Sequence, residues 1–141
     1  MSAGRTPQIV VIEDNPADIE LLRFALAEVG MICDLHIIRD GGQAMEWIGS
    51  AGSVDLVVVD LNLPKHDGIE VLEAMQASEL LADLPVLVLS SSPSPRDMAR
   101  VKMFRNTKYV TKPTFLEQYQ DVGRLLEEML LQRAVNVNTN V

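Results

Sequence analysis

Acidic, basic and hydroxyl side chains follow four apolar segments of this sequence, each at the point where the segment stops. They are Glu13 and Asp14 after residues 8–12, Asp60 after 54–59, Ser90 after 84–89, and Lys112 after 109–111. If these segments are parallel strands of one sheet, their ends meet at one edge and bring the three carboxylates close together. Carboxylates at such short distances repel one another, and a hard divalent cation such as Mg²⁺ relieves the repulsion. With a lysine and a hydroxyl beside it, such a group suits phosphoryl transfer to a carboxylate, with Asp60 as the nucleophile.

The elements that must position these side chains can be predicted from the apolar periodicity. Strand-length apolar segments alternate with stretches whose apolar residues recur every three or four positions, which is the spacing of an amphipathic helix. The predicted strands cover 8–12, 33–38, 54–59, 84–89 and 109–111, and the predicted helices cover 16–29, 43–49, 68–79, 95–104 and 115–133. This alternation predicts an α/β fold with a five-stranded parallel sheet and five helices, with the ligand site beyond the carboxyl ends of the strands.

Local signals predict where several helices begin and end. Asn15 and Ser94 each precede a proline and an acidic residue, which is typical of a helix N-cap. Gly30 follows the first helix and predicts its end. Thr114 and Glu117 have the spacing of a capping box before the last helix.

Length and charge limit what the protein can be. The chain has 141 residues, enough for one domain, which we predict over 1–133 with a C-terminal tail at 134–141. In the tail, the alternation of valine with polar residues over 135–141 is typical of a strand. The net charge of −8 argues against a nucleic-acid reader, and no segment is apolar enough for a membrane span. We therefore expect a soluble, cytoplasmic protein.

Four ordered motifs resemble the receiver domain of two-component response regulators, including the stand-alone chemotaxis receiver. They are VIEDNP at 11–16, VVVDLNLPKHDG at 57–68, PVLVLS at 85–90 and YVTKP at 109–113. The resemblance extends over about 8–133 and implies the doubly wound flavodoxin-like fold with strand order 2-1-3-4-5. It also implies that the protein accepts a phosphoryl group from a sensor histidine kinase with the help of Mg²⁺.

The resemblance assigns roles to individual residues of this chain. Asp60 matches the phosphoacceptor, Lys112 the lysine that pairs with the phosphoryl group, and Ser90 and Tyr109 the switch pair. The implied metal ligands are Glu13, Asp14, Asp60 and the backbone carbonyl of Asn62. The peptide bond between Lys112 and Pro113 is commonly cis in such domains. Before the last strand, Asn106 stands near the usual glycine turn and can adopt the left-handed backbone conformation.

Some segments are more specifically similar to the single-domain regulators that pair with phytochrome histidine kinases. These segments are 14–18, 61–65 and the serine-rich loop at 90–92. The narrower resemblance implies a light-responsive kinase as the partner, although no residue identifies a chromophore contact.

The sequence ends soon after the last predicted helix, so we expect the signal to leave through the surface of the domain itself, toward a downstream protein or phosphotransfer partner. The apolar face of that helix is wider than one sheet-facing stripe needs. Its members are Phe115, Leu116, Tyr119, Val122, Leu125, Leu126, Met129 and Leu130. Two interpretations remain open: an unusually broad buried face, or a homodimer interface formed by the fourth helix, fifth strand and fifth helix.

An enzyme is the main alternative, because phosphohydrolases with an aspartate nucleophile use a similar sheet. Those enzymes typically carry a second aspartate two residues after the nucleophile, and here that position is Asn62. We therefore predict slow self-dephosphorylation rather than turnover, and a signalling domain rather than an enzyme. A flavodoxin-like or dinucleotide-binding role is disfavoured because no glycine-rich phosphate loop follows the first strand.

Overall fold

Strands and helices alternate along the chain in the computed structural model, which describes residues 5–91 and 94–139. The elements are β1 (Gln8–Ile12), α1 (Pro16–Glu28), β2 (Asp34–Ile38), α2 (Gly41–Ser50), β3 (Leu56–Val59), α3 (Gly68–Gln76), β4 (Val86–Ser90), α4 (Pro95–Val101), β5 (Thr107–Thr111) and α5 (Tyr119–Thr139). A 3-10 turn at Leu116–Gln118 precedes α5. Among these described helices, none combines the length and apolar character that spanning a membrane would require.

The five strands form one parallel sheet in the order β2-β1-β3-β4-β5, as predicted. Successive side chains of a strand point to opposite faces, and both faces of the inner strands are covered. Thus Val57 and Val59 pack in the cluster with α2 and α3, whereas Leu56 and Val58 pack in the cluster with α1 and α5. The two-sided burial explains why these strands read as unbroken apolar runs.

The predicted starts of α1, α3 and α4 are confirmed, whereas α3 and α4 each end three residues before the predicted ends at 79 and 104. The Asn15 side chain accepts hydrogen bonds from the N–H groups of residues 17 and 18, and the Ser94 hydroxyl accepts one from residue 97. Asn106 has a φ angle of 54°, the left-handed conformation predicted for it, and Gly30, predicted to end the first helix, has a φ angle of 69°. The bond between Lys112 and Pro113 is trans and not cis, as are all the described peptide bonds. The trans isomer is the more stable one for X-Pro bonds.

The predicted capping box of Thr114 and Glu117 is wrong by one residue. The side-chain oxygen of Gln118 accepts a hydrogen bond of 3.3 Å from the N–H of Phe115, which is the N-cap of the 3-10 turn. A glutamine can accept this bond as well as a glutamate can. The sequence contains both residues side by side, so spacing alone could not choose between them.

Helix α5 extends to Thr139, so the predicted end at 133 and the strand-like tail are wrong over 135–139. Each added residue costs little once a helix has formed, and that outweighs the weak strand preference of alternating valines. Residues 140 and 141 of the predicted tail, and Ser92 of the serine-rich loop, lie outside the described residues.

A charged cluster at the amino-terminal edge of the sheet holds α5 near its end. Arg133 Nη1 donates to Asp55 Oδ1 over 2.7 Å and to the carbonyl oxygen of Val54 over 3.1 Å, and Arg5 also donates to Asp55. Burial would raise the pKa of Asp55, but the N–H of Gln8 and the two arginines outweigh it and lower that pKa. Asp55 therefore stays ionised and ties α5 to the start of β3.

Candidate functional site

The backbone hydrogen bonds of the sheet continue past the strand ends and hold the site residues in place. The N–H of Glu13 donates to Ile38 O over 2.9 Å, and the N–H of Asp60 donates to Ile12 O over 3.0 Å. The N–H of Lys112 donates to Ser90 O over 2.8 Å. The three side chains therefore start from rigid backbone on one edge of the sheet, as expected where parallel strands end.

Three carboxylates converge at this edge. One oxygen each of Glu13, Asp14 and Asp60 lies within 4.8 Å of the other two. Glu13 and Asp60 are only 6% and 5% exposed, whereas Asp14 is exposed to solvent. The cluster thus has two buried members and one at the opening, from which a cation can approach.

Lys112 forms ion pairs with two of these carboxylates and with a fourth, that of Asp18. Its Nζ lies 2.8 Å from Glu13 Oε1, 3.0 Å from Asp60 Oδ2 and 2.7 Å from Asp18 Oδ2. Burial would lower the pKa of Lys112, but the hydrogen bonds to these three carboxylates outweigh it and raise that pKa above 10.5. Lys112 is consequently a permanent ammonium at neutral pH.

Glu13 shows how strongly the site disfavours another negative charge. The pKa of Glu13 is raised from 4.5 to about 7, mainly by burial and also by the Asp60 charge, while hydrogen bonds from Lys112 and the N–H of Asn15 partly oppose the rise. Between those two pH values the folded chain keeps a proton that the unfolded chain has lost, so rising pH destabilises the fold over this range. A cation bound to the cluster would offset that loss.

The donor set fits a hard divalent cation. All the candidate side-chain ligands are carboxylate oxygens, which Mg²⁺ and Mn²⁺ prefer over nitrogen or sulfur. Burial and, to a smaller extent, the charge of Asp60 raise the pKa of Glu13, and a bound cation would relieve both effects. The residues present therefore suit a metal of this class.

The other predicted site residues lie around the carboxylates. The N–H of Asn62 donates to Asp60 Oδ1 over 3.0 Å, and Asn62 itself is exposed. Ser90 ends β4 and is 1% exposed. Tyr109 is half-buried on β5, paired in register with Val88, two residues before Ser90 on the neighbouring strand.

The structure adds one residue that our sequence reasoning did not include in the site. Asp18 lies in the first turn of α1, where we read it only as an acid favourable to the helix N-terminus. That turn opens at the same edge of the sheet as the strand ends, and the Asp18 carboxylate forms the shortest of the three Lys112 contacts. The signal in the sequence was its place in the first helical turn, four residues after Asp14 and three after the N-cap Asn15.

A separate groove of about 620 Å³ opens at the opposite end of the molecule. Pro85 and Thr107, at the starts of β4 and β5, line it together with Met129 and Arg133 of α5. Because Glu13, Asp14 and Asp60 do not line it, the groove has no part in the chemistry of the strand ends.

Comparison with known proteins supplies the family. The model of the family described as response regulator receiver domain matches residues 9–122. The probable methanogenesis regulatory protein FilR2 of Methanothrix harundinacea is 33% identical over 126 residues, which cover 86% of this chain and 79% of that protein.

Two solved structures of similar proteins concern phytochrome signalling or metal binding. The phosphorylated cyanobacterial phytochrome response regulator RcpA is 35% identical with a TM-score of 0.80, covering 90% of this chain and 95% of that one. The Mn²⁺-bound form of response regulator Rcp1, a Synechocystis protein, is 31% identical with a TM-score of 0.76, covering 86% and 91%. Both similarities extend over most of each chain.

Proposed function

Because this chain belongs to the family of response regulator receiver domains, we propose that it is a single-domain response regulator of a two-component phosphorelay. It would accept a phosphoryl group from a sensor histidine kinase on Asp60. The observation that carries this proposal is the setting of Asp60, whose carboxylate lies 3.0 Å from the Lys112 ammonium and beside Glu13 and Asp14. Coverage of 95% of the RcpA chain supports one domain, for which we propose residues 1–133, with 134–141 as a tail whose first six residues continue helix α5.

The transfer step uses the side chains in complementary ways. An oxygen of Asp60 would attack phosphorus while the P–N bond to the kinase histidine breaks, and the imidazole leaves with the electron pair and takes up a proton. The Lys112 ammonium would neutralise charge on a phosphoryl oxygen, and the Ser90 hydroxyl would donate a hydrogen bond to another. Phosphoryl transfer depends mainly on such positioning and charge neutralisation.

We propose that Glu13, Asp14, Asp60 and the backbone carbonyl of Asn62 hold Mg²⁺. The ion would supply positive charge that offsets the repulsion between these carboxylates and an incoming phosphoryl group. The Mn²⁺-bound form of Rcp1 supports a divalent ion in a similar protein. Below about pH 7 a bound ion would have to compete with a proton on Glu13.

The proposed partner on the input side is a phytochrome histidine kinase. Its support is the similarity to RcpA, described as a phytochrome response regulator. On the output side we propose that Ser90 and Tyr109 report phosphorylation to the surface of α4, β5 and α5, where a downstream protein or phosphotransfer partner would bind. Their place on adjacent strands supports this route. A cytoplasmic location remains a prediction.

We expect the wild-type protein to take up close to one phosphoryl group per chain from acetyl phosphate and Mg²⁺, and to hold it. The measurement is intact-protein mass spectrometry above pH 7, where Glu13 is ionised, with a parallel count of released phosphate. Omitting Mg²⁺ or adding a chelator serves as the control and should suppress the mass increase.

Two outcomes would contradict the proposal in different ways. Release of many phosphates per chain would favour the phosphohydrolase alternative, although Asn62 occupies the place of the second aspartate that such enzymes use. No uptake at all, with the folded protein saturated with Mg²⁺, would exclude a phosphoacceptor role.

The broad apolar face of α5 is largely explained by the core. Tyr119, Val122, Leu126 and Met129 are buried against α1 and the sheet, and Leu125 and Leu130 pack around them. Phe115 and Leu116, just before α5, remain 64% and 51% exposed, and Met103 after α4 is 86% exposed. We propose that these three exposed side chains contribute to a homodimer through the surface of α4, β5 and α5.

For the homodimer we expect Met103→Glu to shift the protein toward monomer, because it places a charge in the apolar contact. Sedimentation velocity at tens of micromolar, with and without Mg²⁺ and beryllofluoride, measures the shift. Ile32→Glu is the matched control, since Ile32 is 82% exposed and lies between α1 and β2, away from the proposed contact. A wild-type protein that sediments only as monomer in both conditions would rule out the dimer.

A further inference from the structure

Asp18 contacts Lys112 without belonging to the carboxylate cluster. Its Oδ2 accepts a hydrogen bond of 2.7 Å from Lys112 Nζ, although 94 residues separate the two along the chain. Asp18 is absent from the group of Glu13, Asp14 and Asp60 whose oxygens lie close enough to share a cation. The contact therefore needs a role of its own.

The hydrogen-bonding capacity of Lys112 suggests that role. An ammonium has three N–H donors, and here Glu13, Asp18 and Asp60 accept all three. In the proposed function, Glu13 and Asp60 have other roles. Both would bind the metal, and Asp60 would also carry the phosphoryl group. Asp18 is the one carboxylate partner of Lys112 with neither task.

We propose that Asp18 is a positioning residue, which holds the Lys112 ammonium at the phosphorylation site while the other two carboxylates are engaged. This inference rests on the proposed function. One N–H of Lys112 stays on Asp18, and the remaining donors point to the phosphoryl oxygens. Asp18 acts on phosphoryl transfer through Lys112 and does not touch the reacting atoms.

The local structure keeps Asp18 where this role requires it. The Asn15 side chain caps the first turn of α1 through hydrogen bonds of 2.8 Å from Ala17 N and 3.4 Å from Asp18 N. The next residue, Ile19, is buried, and Leu22 packs in the apolar cluster that joins α1 to the sheet. The Asp18 side chain is 23% exposed and that of Lys112 only 9%, so the contact is largely shielded from solvent screening.

The test compares rates of phosphorylation by acetyl phosphate and Mg²⁺ in four proteins: wild type, Asp18→Asn, Lys112→Ala and the double variant. We expect Asp18→Asn to lower the wild-type rate about tenfold, the lower end of what a hydrogen bond to a charged group contributes. In the Lys112→Ala background, the same change should alter the rate by less than about twofold, because the group through which Asp18 acts is gone. An equal effect in both backgrounds would overturn the proposal.

Glu20→Gln is the matched control for charge and helix. Glu20 also lies on α1, and its carboxylate pairs only with Arg23 at the surface among the described ion pairs. The variant should phosphorylate at the wild-type rate. Thermal unfolding shows whether each protein is folded at the assay temperature, and the rates are compared where all of them are.

A spectroscopic measurement tests the position of the ammonium independently of the rates. In wild-type protein loaded with Mg²⁺ and beryllofluoride, we expect the ¹⁵N–¹H signal of the Lys112 side chain to be visible, because a held ammonium exchanges its protons slowly. The signal should disappear by exchange in Asp18→Asn and persist in Glu20→Gln. If it persists in Asp18→Asn, Asp18 does not hold Lys112. Lack of wild-type phosphorylation would instead count against the proposed function.

Discussion

Asp60→Asn is expected to abolish phosphorylation by acetyl phosphate, lowering the rate by at least about a thousandfold, as removal of a nucleophile does in enzymes. The amide that replaces the carboxylate carries no charge and is a poor nucleophile toward phosphorus. The change also removes the negative charge from one proposed metal ligand and from one of the three partners of Lys112. Mass spectrometry of the variant after incubation with Mg²⁺ and acetyl phosphate measures the loss.

Stability distinguishes this loss from unfolding. Asp60 is buried among like charges, so its neutral replacement should leave the free energy of unfolding unchanged or raise it. Asp121→Asn is the matched control: the chemical change is the same, but Asp121 is an exposed partner of Arg124. The control should be phosphorylated like wild type. If Asp60→Asn were still labelled at the wild-type rate, another side chain would be the acceptor.

Gly123→Ala is the second substitution for which we expect a large effect, and it acts at the contact between α1 and α5. Gly123 of α5 is buried, and a Cβ built on it would lie 2.3 Å from the carbonyl oxygen of Ala25 in α1. Real Cβ atoms do not approach a backbone oxygen so closely, so the two helices would have to move apart. We expect Gly123→Ala to lower the free energy of unfolding by about 2–3 kcal/mol, in the range typical of overpacking.

The sign of this effect separates packing from helix propensity. In an open helical position, alanine stabilises relative to glycine by about 0.5–1 kcal/mol. Gly49 of α2 provides that control, because a Cβ there would meet nothing within 4 Å. Urea denaturation of Gly123→Ala and Gly49→Ala should therefore shift the midpoints in opposite directions. A Gly123→Ala protein as stable as wild type would mean that α1 and α5 separate without cost.

Prediction from the sequence succeeded where the determinants are local. The apolar runs at 8–12 and 54–59, the caps at Asn15 and Ser94, and the left-handed turn at Asn106 all encode hydrogen bonds or burial within a few residues. The prediction failed at the capping box of Thr114, where the adjacent side chains of Glu117 and Gln118 compete as acceptors. It also failed beyond residue 133, where helix propagation outweighs the alternation of valine with polar residues.

The sequence by itself determined that acidic residues, a serine and a lysine stand at strand ends, and a parallel sheet brings all such ends to one edge. Only the tertiary structure decided which of them share partners. Whether Asp18 reaches Lys112, or Gly123 approaches Ala25, depends on the angle and depth at which α1 packs against the sheet and against α5. Those quantities result from the summed packing of both apolar clusters, and no local pattern of residues encodes them.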